Sequence, residues 1–328
     1  MRRTISCLLV LVCLLLSVSV DAMKFKVLVV MSYEQDNPWC VEIREGIEAA
    51  LGDSSDITYF YMNTKADFKG GPDRAKEAFE LYQRLQPDGV ITADDDAQSM
   101  FVLPYLKGST SAPVMFCGVN AEPAEYGYPT RTITGMLERG HVRESIAFTQ
   151  QLQPAVKRIG FLANDIPAGQ AMRRQIEAEK GEYAGAAVIG ISLVKTTTEL
   201  TAACEAMSRN TDALYIDSLE GIADAQQKPL KNKEVLDIIR KTYRKPIIGA
   251  NRYHVEQGAL CAVVKTGQEQ GETAAAMLLK AMRGTPVEQL AVTRNYIGRR
   301  IINVNALEAF GITPKPVVLR GATLVRTQ

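Results

Sequence analysis

A chain of 328 residues is long for one hydrophobic core and natural for two domains. Its formal net charge is +1, with 46% apolar and 23% charged residues, an ordinary globular balance. No basic stripe runs through it, which removes the compositional case for nucleic acid.

Arg2 and Arg3 precede an uncharged run rich in Leu and Val, Thr4 to Val20, and Val20-Asp21-Ala22 offers short residues for cleavage. That three-part pattern predicts a secretory signal peptide over residues 1–22. The apolar run is short for a membrane span, and Val12 before Cys13 does not suit lipid attachment. The expected mature chain is soluble, extracytoplasmic (periplasmic) and close to neutral. Cys40, Cys117, Cys204 and Cys261 remain in it. An oxidising compartment could pair them in three ways. Cys117 and Cys261 sit in apolar, strand-like runs, which favours buried thiols. No C-x-x-C spacing points to zinc, and no metal or other cofactor is expected.

From residue 25 onward strands and helices alternate. Phe25 to Met31 (FKVLVVM) is the apolar run of a strand buried on both faces. Pro38 opens a helix to Leu51, with Val41, Ile43, Ile47 and Leu51 on its apolar side. A strand follows at Ile57–Met62, a helix from Pro72 to near Leu85, and a strand at Gly89–Thr92. A helix is predicted from about Asp95 to Tyr105, then a strand at Pro113–Phe116. The pattern restarts after a join near Thr134–Gly140. There follow a helix at His141–Leu152, a strand at Arg158–Leu162, a helix after Pro167 and a strand at Ala187–Val194. Thr198 opens the helix containing Cys204, before a strand at Ala213–Ile216 and a helix at Lys231–Tyr243. Strands at Pro246–Gly249 and Ala259–Val264 precede an Ala-rich amphipathic helix, Gln268–Met282.

Such alternation predicts an α/β fold of two doubly wound parallel-sheet lobes. The elements after Val264 suggest a return to the first lobe, making a hinge of several strands. Residues 23–136 with about 266–290 are assigned to the first lobe, and 137–265 with about 291–328 to the second.

Parallel sheets bind ligands beyond the carboxyl ends of their strands. Ser32, Tyr33 and Trp39 follow the first strand: a cleft wall, or a helix cap and a packed indole. In Asp94-Asp95-Asp96 the residue type favours capping of the following helix, the alternative being one carboxylate that holds a ligand amino group or hydroxyls. Asn120 ends another strand, and Glu138 lies at the join. Asn164, Asp217 and Asn251 sit at strand ends of the second half, as cleft groups or as loop and capping residues. No G-x-S-x-G elbow and no G-x-G-x-x-G after the first strand is present, and nothing nominates a catalytic pair.

The segments VLVVMSYEQDNPWCVEIREGI, DGVITADDDAQSMFVLPYLKGSTSAPVMFCGVN, ITGMLERGHVRESIAF, KRIGFLAND, VVKTGQEQGETAAAMLLKAMRGTPVEQL and INVNALEAFGI, in this order, resemble ABC-transporter substrate-binding proteins of the tryptophan/tyrosine-transport type. The resemblance implies the type I periplasmic binding fold, with three crossovers and an open–closed motion. It also implies a non-catalytic, monomeric receptor that hands a small polar solute, often an amino acid, to an ABC permease. It places Ser32, Tyr33, Trp39, Asp94 to Asp96, Asn120, Asn164, Asp217 and Asn251 at the cleft. One departure stands out: ADDDAQ occupies a place usually filled by small hydroxyl or apolar residues, and carboxylates there repel a ligand carboxylate unless a cation lies between. A receptor feeding a membrane sensor kinase and a secreted α/β enzyme are the competing readings. A transcription regulator lacks its helix-turn-helix.

Overall fold

The computed structural model describes residues 24–183 and 185–327. The candidate signal peptide lies outside them. The first half contributes strands β1 (Phe25–Met31), β2 (Ser55–Tyr61), β3 (Gly89–Ala93), β4 (Val114–Val119) and β5 (Ile133–Leu137). The second contributes β6 (Arg158–Asn164), β7 (Ala187–Val194), β8 (Ala213–Asp217), β9 (Ile247–Gly249) and β10 (Cys261–Val264). The chain then supplies a long helix, Gly267–Met282, and the strands β11 (Thr293–Arg294), β12 (Arg299–Asn303) and β13 (Thr323–Val325).

One sheet has the order β11-β5-β4-β3-β1-β2 and the other β13-β12-β10-β9-β8-β6-β7. All pairings are parallel except β10 with β12. Each sheet carries helices on both faces. In β1, Val27, Val29 and Met31 pack under the helices Pro38–Leu51 and Gly267–Met282, while Leu28 and Val30 pack on the opposite face. That double coverage is why FKVLVVM shows no polar alternation. In the second sheet Leu162, Leu214 and Ile216 line one face and Ile159, Phe161 and Tyr215 the other.

The chain passes between the lobes three times: after β5 through Glu138 to His141, after β10 through Lys265 and Thr266, and after β11 through Asn295 to Gly298. Because β11 pairs with β5, the return to the first lobe runs to Arg294 and not only to about residue 290. A second difference lies in the segment after β3. A single α-helical turn, Asp94–Ala97, leads into a π-helix, Gln98–Leu106, that contains Pro104. Proline removes an N–H from the ladder, and the wider turn accommodates the missing bond.

Candidate ligand-binding cleft

The carboxyl ends of β1, β3 and β4 carry Tyr33, Asp94 and Asn120 in one lobe, those of β8 and β9 carry Asp217 and Asn251 in the other, and Glu138 and Lys265 pair across the crossovers between them. Asn37 caps the first helix, its Oδ1 accepting from the Trp39 amide at 3.0 Å. That cap fixes the half-buried Trp39, whose indole Nε1 donates to Asp94 Oδ1 at 2.9 Å. Asp94 is 2% exposed and holds a left-handed backbone, φ +70°. Burial, then the negative charge of Glu138, pushes its carboxyl well above the usual range, against the indole bond that lowers it.

All three aspartates stand in the first turn, as their residue type favours, but Ala93 is its N-cap residue and no side chain caps it, so the N-cap part of the expectation is corrected. The left-handed backbone at Asp94 turns the three side chains apart. Asp95 accepts from the amides of Asn120 (3.0 Å) and Ala121 (3.2 Å) and from the Tyr126 hydroxyl (2.8 Å). Asp96 accepts from Thr64 Oγ1 at 2.6 Å. Asp95 thus braces the loop that presents Asn120, whose Nδ2 donates to Glu138 Oε2 at 3.3 Å.

Tyr33 lies half-buried beside this group, with the Lys65 ammonium 4.4 Å from its ring centre. Burial, then Asp94, Asp96, Glu138 and Asp95, raises its phenol far above the ordinary value. Ser32 is fully buried; its hydroxyl donates to the Ala93 carbonyl at 2.6 Å and accepts from the Ala97 amide at 2.9 Å. Asn164 is likewise buried, donating to the Glu220 carbonyl at 2.7 Å. Both hold strand ends to neighbouring loops within their own lobes.

In the second lobe Asp217 ends β8. Its Oδ1 receives the Ser218 hydroxyl at 3.3 Å and Asn251 Nδ2 at a long 3.5 Å, and the same Nδ2 donates to the Tyr253 hydroxyl at 3.1 Å. Burial raises the Asp217 carboxyl, against the lowering charge of Lys265. Lys265, on the second crossover, forms an ion pair with Glu138 of the first. Burial lowers the Lys265 ammonium; Glu138, by charge and hydrogen bond, and then Asp217 outweigh it and leave it raised. Its side chain is 33% exposed.

Tyr253 belongs to the segment after β9 that the strand-end rule already points to, and Lys265 directly follows β10, but the candidate residues read from the sequence include neither. Lys265 is the cation that meets Glu138 and Asp217, yet in sequence it is one lysine of VVKTG, far from both carboxylates. Among the described residues no cluster of His, Cys, Asp and Glu is arranged to hold a metal. Cys40, Cys117, Cys204 and Cys261 are buried free thiols.

Two α/β lobes of mainly parallel strands, joined by three crossovers, make the type I periplasmic binding fold. The chain belongs to the ABC transporter substrate binding protein family, whose model matches residues 106–326. Comparison with curated sequences returns no match. A ligand-free, open substrate binding protein with adhesive properties from Clostridium difficile aligns with a TM-score of 0.69 at 17% identity, over 93% of this chain and 100% of that one. The ABC domain in complex with L-Trp from Streptococcus pneumonia aligns with a TM-score of 0.54 at 20% identity, over 92% and 100% of the two chains. These likenesses carry the fold.

Proposed function

We propose that the chain is the extracytoplasmic solute-binding component of an ABC import system. It works as a monomer, and it captures a small polar solute bearing a cationic amino group between its lobes. The observation that carries this reading is the charge arrangement at the crossovers. Glu138 already holds Lys265, whereas Asp217 faces the same space with only neutral donors in hydrogen-bond range. A half-desolvated carboxylate of that kind gains most from a charge-assisted bond to an ammonium group. Lys265 lies between the carboxylates and offers a counter-charge to a carboxylate on the same solute. An amino acid satisfies both ends, and the L-Trp-bound neighbour with the same fold supports that class. Tyr33 and Trp39 from one lobe and Tyr253 from the other supply flat apolar contact. The leader pattern of residues 1–22 supports export.

A solute that touches both lobes stabilises the closed arrangement by its extra contacts there. A permease then has a shape to recognise. The experiment is mass spectrometry of what co-purifies with native protein, followed by calorimetry with that compound. An amine-bearing solute bound one to one without turnover is the expected result. An anionic solute without an amino group, or a product released over time, overturns the reading.

A further inference from the structure

The three crossovers are not independent threads. Glu269 stands in the first turn of the helix Gly267–Met282, directly after the second crossover, and is 7% exposed. Its carboxylate accepts three consecutive amides of the third crossover: Tyr296, Ile297 at 2.8 Å and Gly298 at 3.1 Å. The same carboxylate lies 3.8 Å from Nε2 of His141, on the first crossover.

Neighbouring side chains complete the lacing. Asn295 exchanges two bonds with the backbone of Arg139, accepting its amide at 2.8 Å and donating to its carbonyl at 2.9 Å. Gln270, fully buried, donates to Asn295 Oδ1 and to the Leu137 carbonyl, both at 3.3 Å, and accepts the Gly118 amide at 2.8 Å. Gly298 has φ +61°, and a Cβ there would stand 2.8 Å from His141 Nε2, so the third crossover lies directly on the first.

Tyr296, Ile297 and Gly298 lie between β11 and β12, outside any strand, so their amides have no ladder to join. Three converging N–H donors need an acceptor with several lone pairs, which an ionised carboxylate has and an amide oxygen does not. The side chains those amides carry point outward: Tyr296 is 59% and Ile297 77% exposed. Packing of the Tyr296 and Ile297 side chains therefore contributes little, and the carboxylate ties down the three amides beside the Asn295–Arg139 bonds.

We propose that Glu269 is a positioning residue of the hinge, whose carboxylate makes the three crossovers turn as one unit and so confines the empty protein to lobe orientations that can close. The inference rests on the capture reading above. It adds that solute affinity is set partly from a residue that touches no cleft group, because binding is weakened by the fraction of empty molecules unable to close.

Two measurements on the solute-free protein test it. Spin labels at Lys69 of the first lobe and Gln226 of the second, both exposed, report the spread of interlobe distances. Glu269→Gln roughly doubles the width of that distribution, while Glu272→Gln, exposed one turn-step along the same helix, leaves it unchanged. An unchanged width in Glu269→Gln overturns the proposal. Should that variant not fold, hydrogen exchange on the unaltered protein decides. The Tyr296, Ile297 and Gly298 amides are then slowed on the order of a hundredfold or more over open-chain amides, and unprotected exchange there overturns the proposal. If the unaltered protein binds no solute while both readouts hold, the capture reading fails and the hinge assignment stands.

Discussion

The indole N–H of Trp39 reaches 2.9 Å to Oδ1 of Asp94, and the other oxygen of that carboxyl is buried without a hydrogen-bond partner among the described residues. The pair fastens the first helix to the end of β3 at the mouth of the cleft. Trp39→Phe removes the donor and leaves the carboxyl unsatisfied. It is expected to lower unfolding free energy by about 1–3 kcal/mol, read from urea denaturation.

The same carboxyl gives stability a pH dependence with a definite sign. Burial and Glu138 raise the folded-state pKa of Asp94, so the folded form holds its proton longer than the unfolded chain does. Its contribution is complete below the ordinary aspartate pKa and is lost as pH rises toward the raised value. Asp94→Asn carries no such term. The variant should therefore gain on the unaltered protein as pH is raised from about 4, the ordinary aspartate value. Parallel stability curves for the two proteins would remove the assignment.

Asp217 makes the complementary prediction for binding. Its ionised form attracts an ammonium group, and its raised pKa shifts that form to higher pH. Affinity for an amine-bearing solute should increase with pH through that titration. Asp217→Asn should abolish the dependence and weaken binding about tenfold or more, since a charge-assisted bond is replaced by a neutral one. Calorimetry across pH, with circular dichroism to establish an intact fold, checks both.

How far this cleft can be read from sequence depends on how local its partners are. FKVLVVM declares a doubly covered strand because burial acts on each residue in turn from Val27 to Met31. Asn37-Pro38 declares a helix start because the cap lies two residues from the amide it satisfies. ADDDAQ declares very little. Its three carboxylates find Trp39, Tyr126 and Thr64, at separations of 55, 31 and 32 residues. Lys265 is more distant still, since it meets Glu138 only because the chain returns to the first lobe. Residue type favoured helix capping at Asp94 to Asp96; tertiary bonds took the carboxylates instead.

The four cysteines give a fourth expected outcome. Burial pushes the thiols of Cys40, Cys204 and Cys261 up to about 12, and that of Cys117 well above its ordinary value. The thiolate is the reactive form, so native protein at pH 8 should resist a disulfide exchange reagent at all four positions. Peptide mapping after labelling in denaturant should then find each one modified. Rapid native labelling of Cys40 would show that the first helix lifts from β4.

The return of the chain to the first lobe rests on glycines at one helix–helix contact. The helices Pro38–Leu51 and Gly267–Met282 cover the same face of the first sheet. Where they cross, a Cβ on Gly271 would stand 2.0 Å from the Ile43 carbonyl oxygen, and one on Gly46 would stand 2.1 Å from the Gln268 carbonyl oxygen. Both obstacles are backbone, so no side-chain rotation relieves them. Gly271→Ala must push the helices apart, and the movement opens the packing of Ile43, Ile47 and Ala275 above β1 and β3. Alanine is the better helix former, which returns only about 1 kcal/mol. Overpacking of a tight contact costs about 3 kcal/mol and outweighs it. Thermal unfolding of Gly271→Ala should therefore shift to lower temperature. A midpoint at or above that of the unaltered protein would mean that the two helices do not meet at this contact.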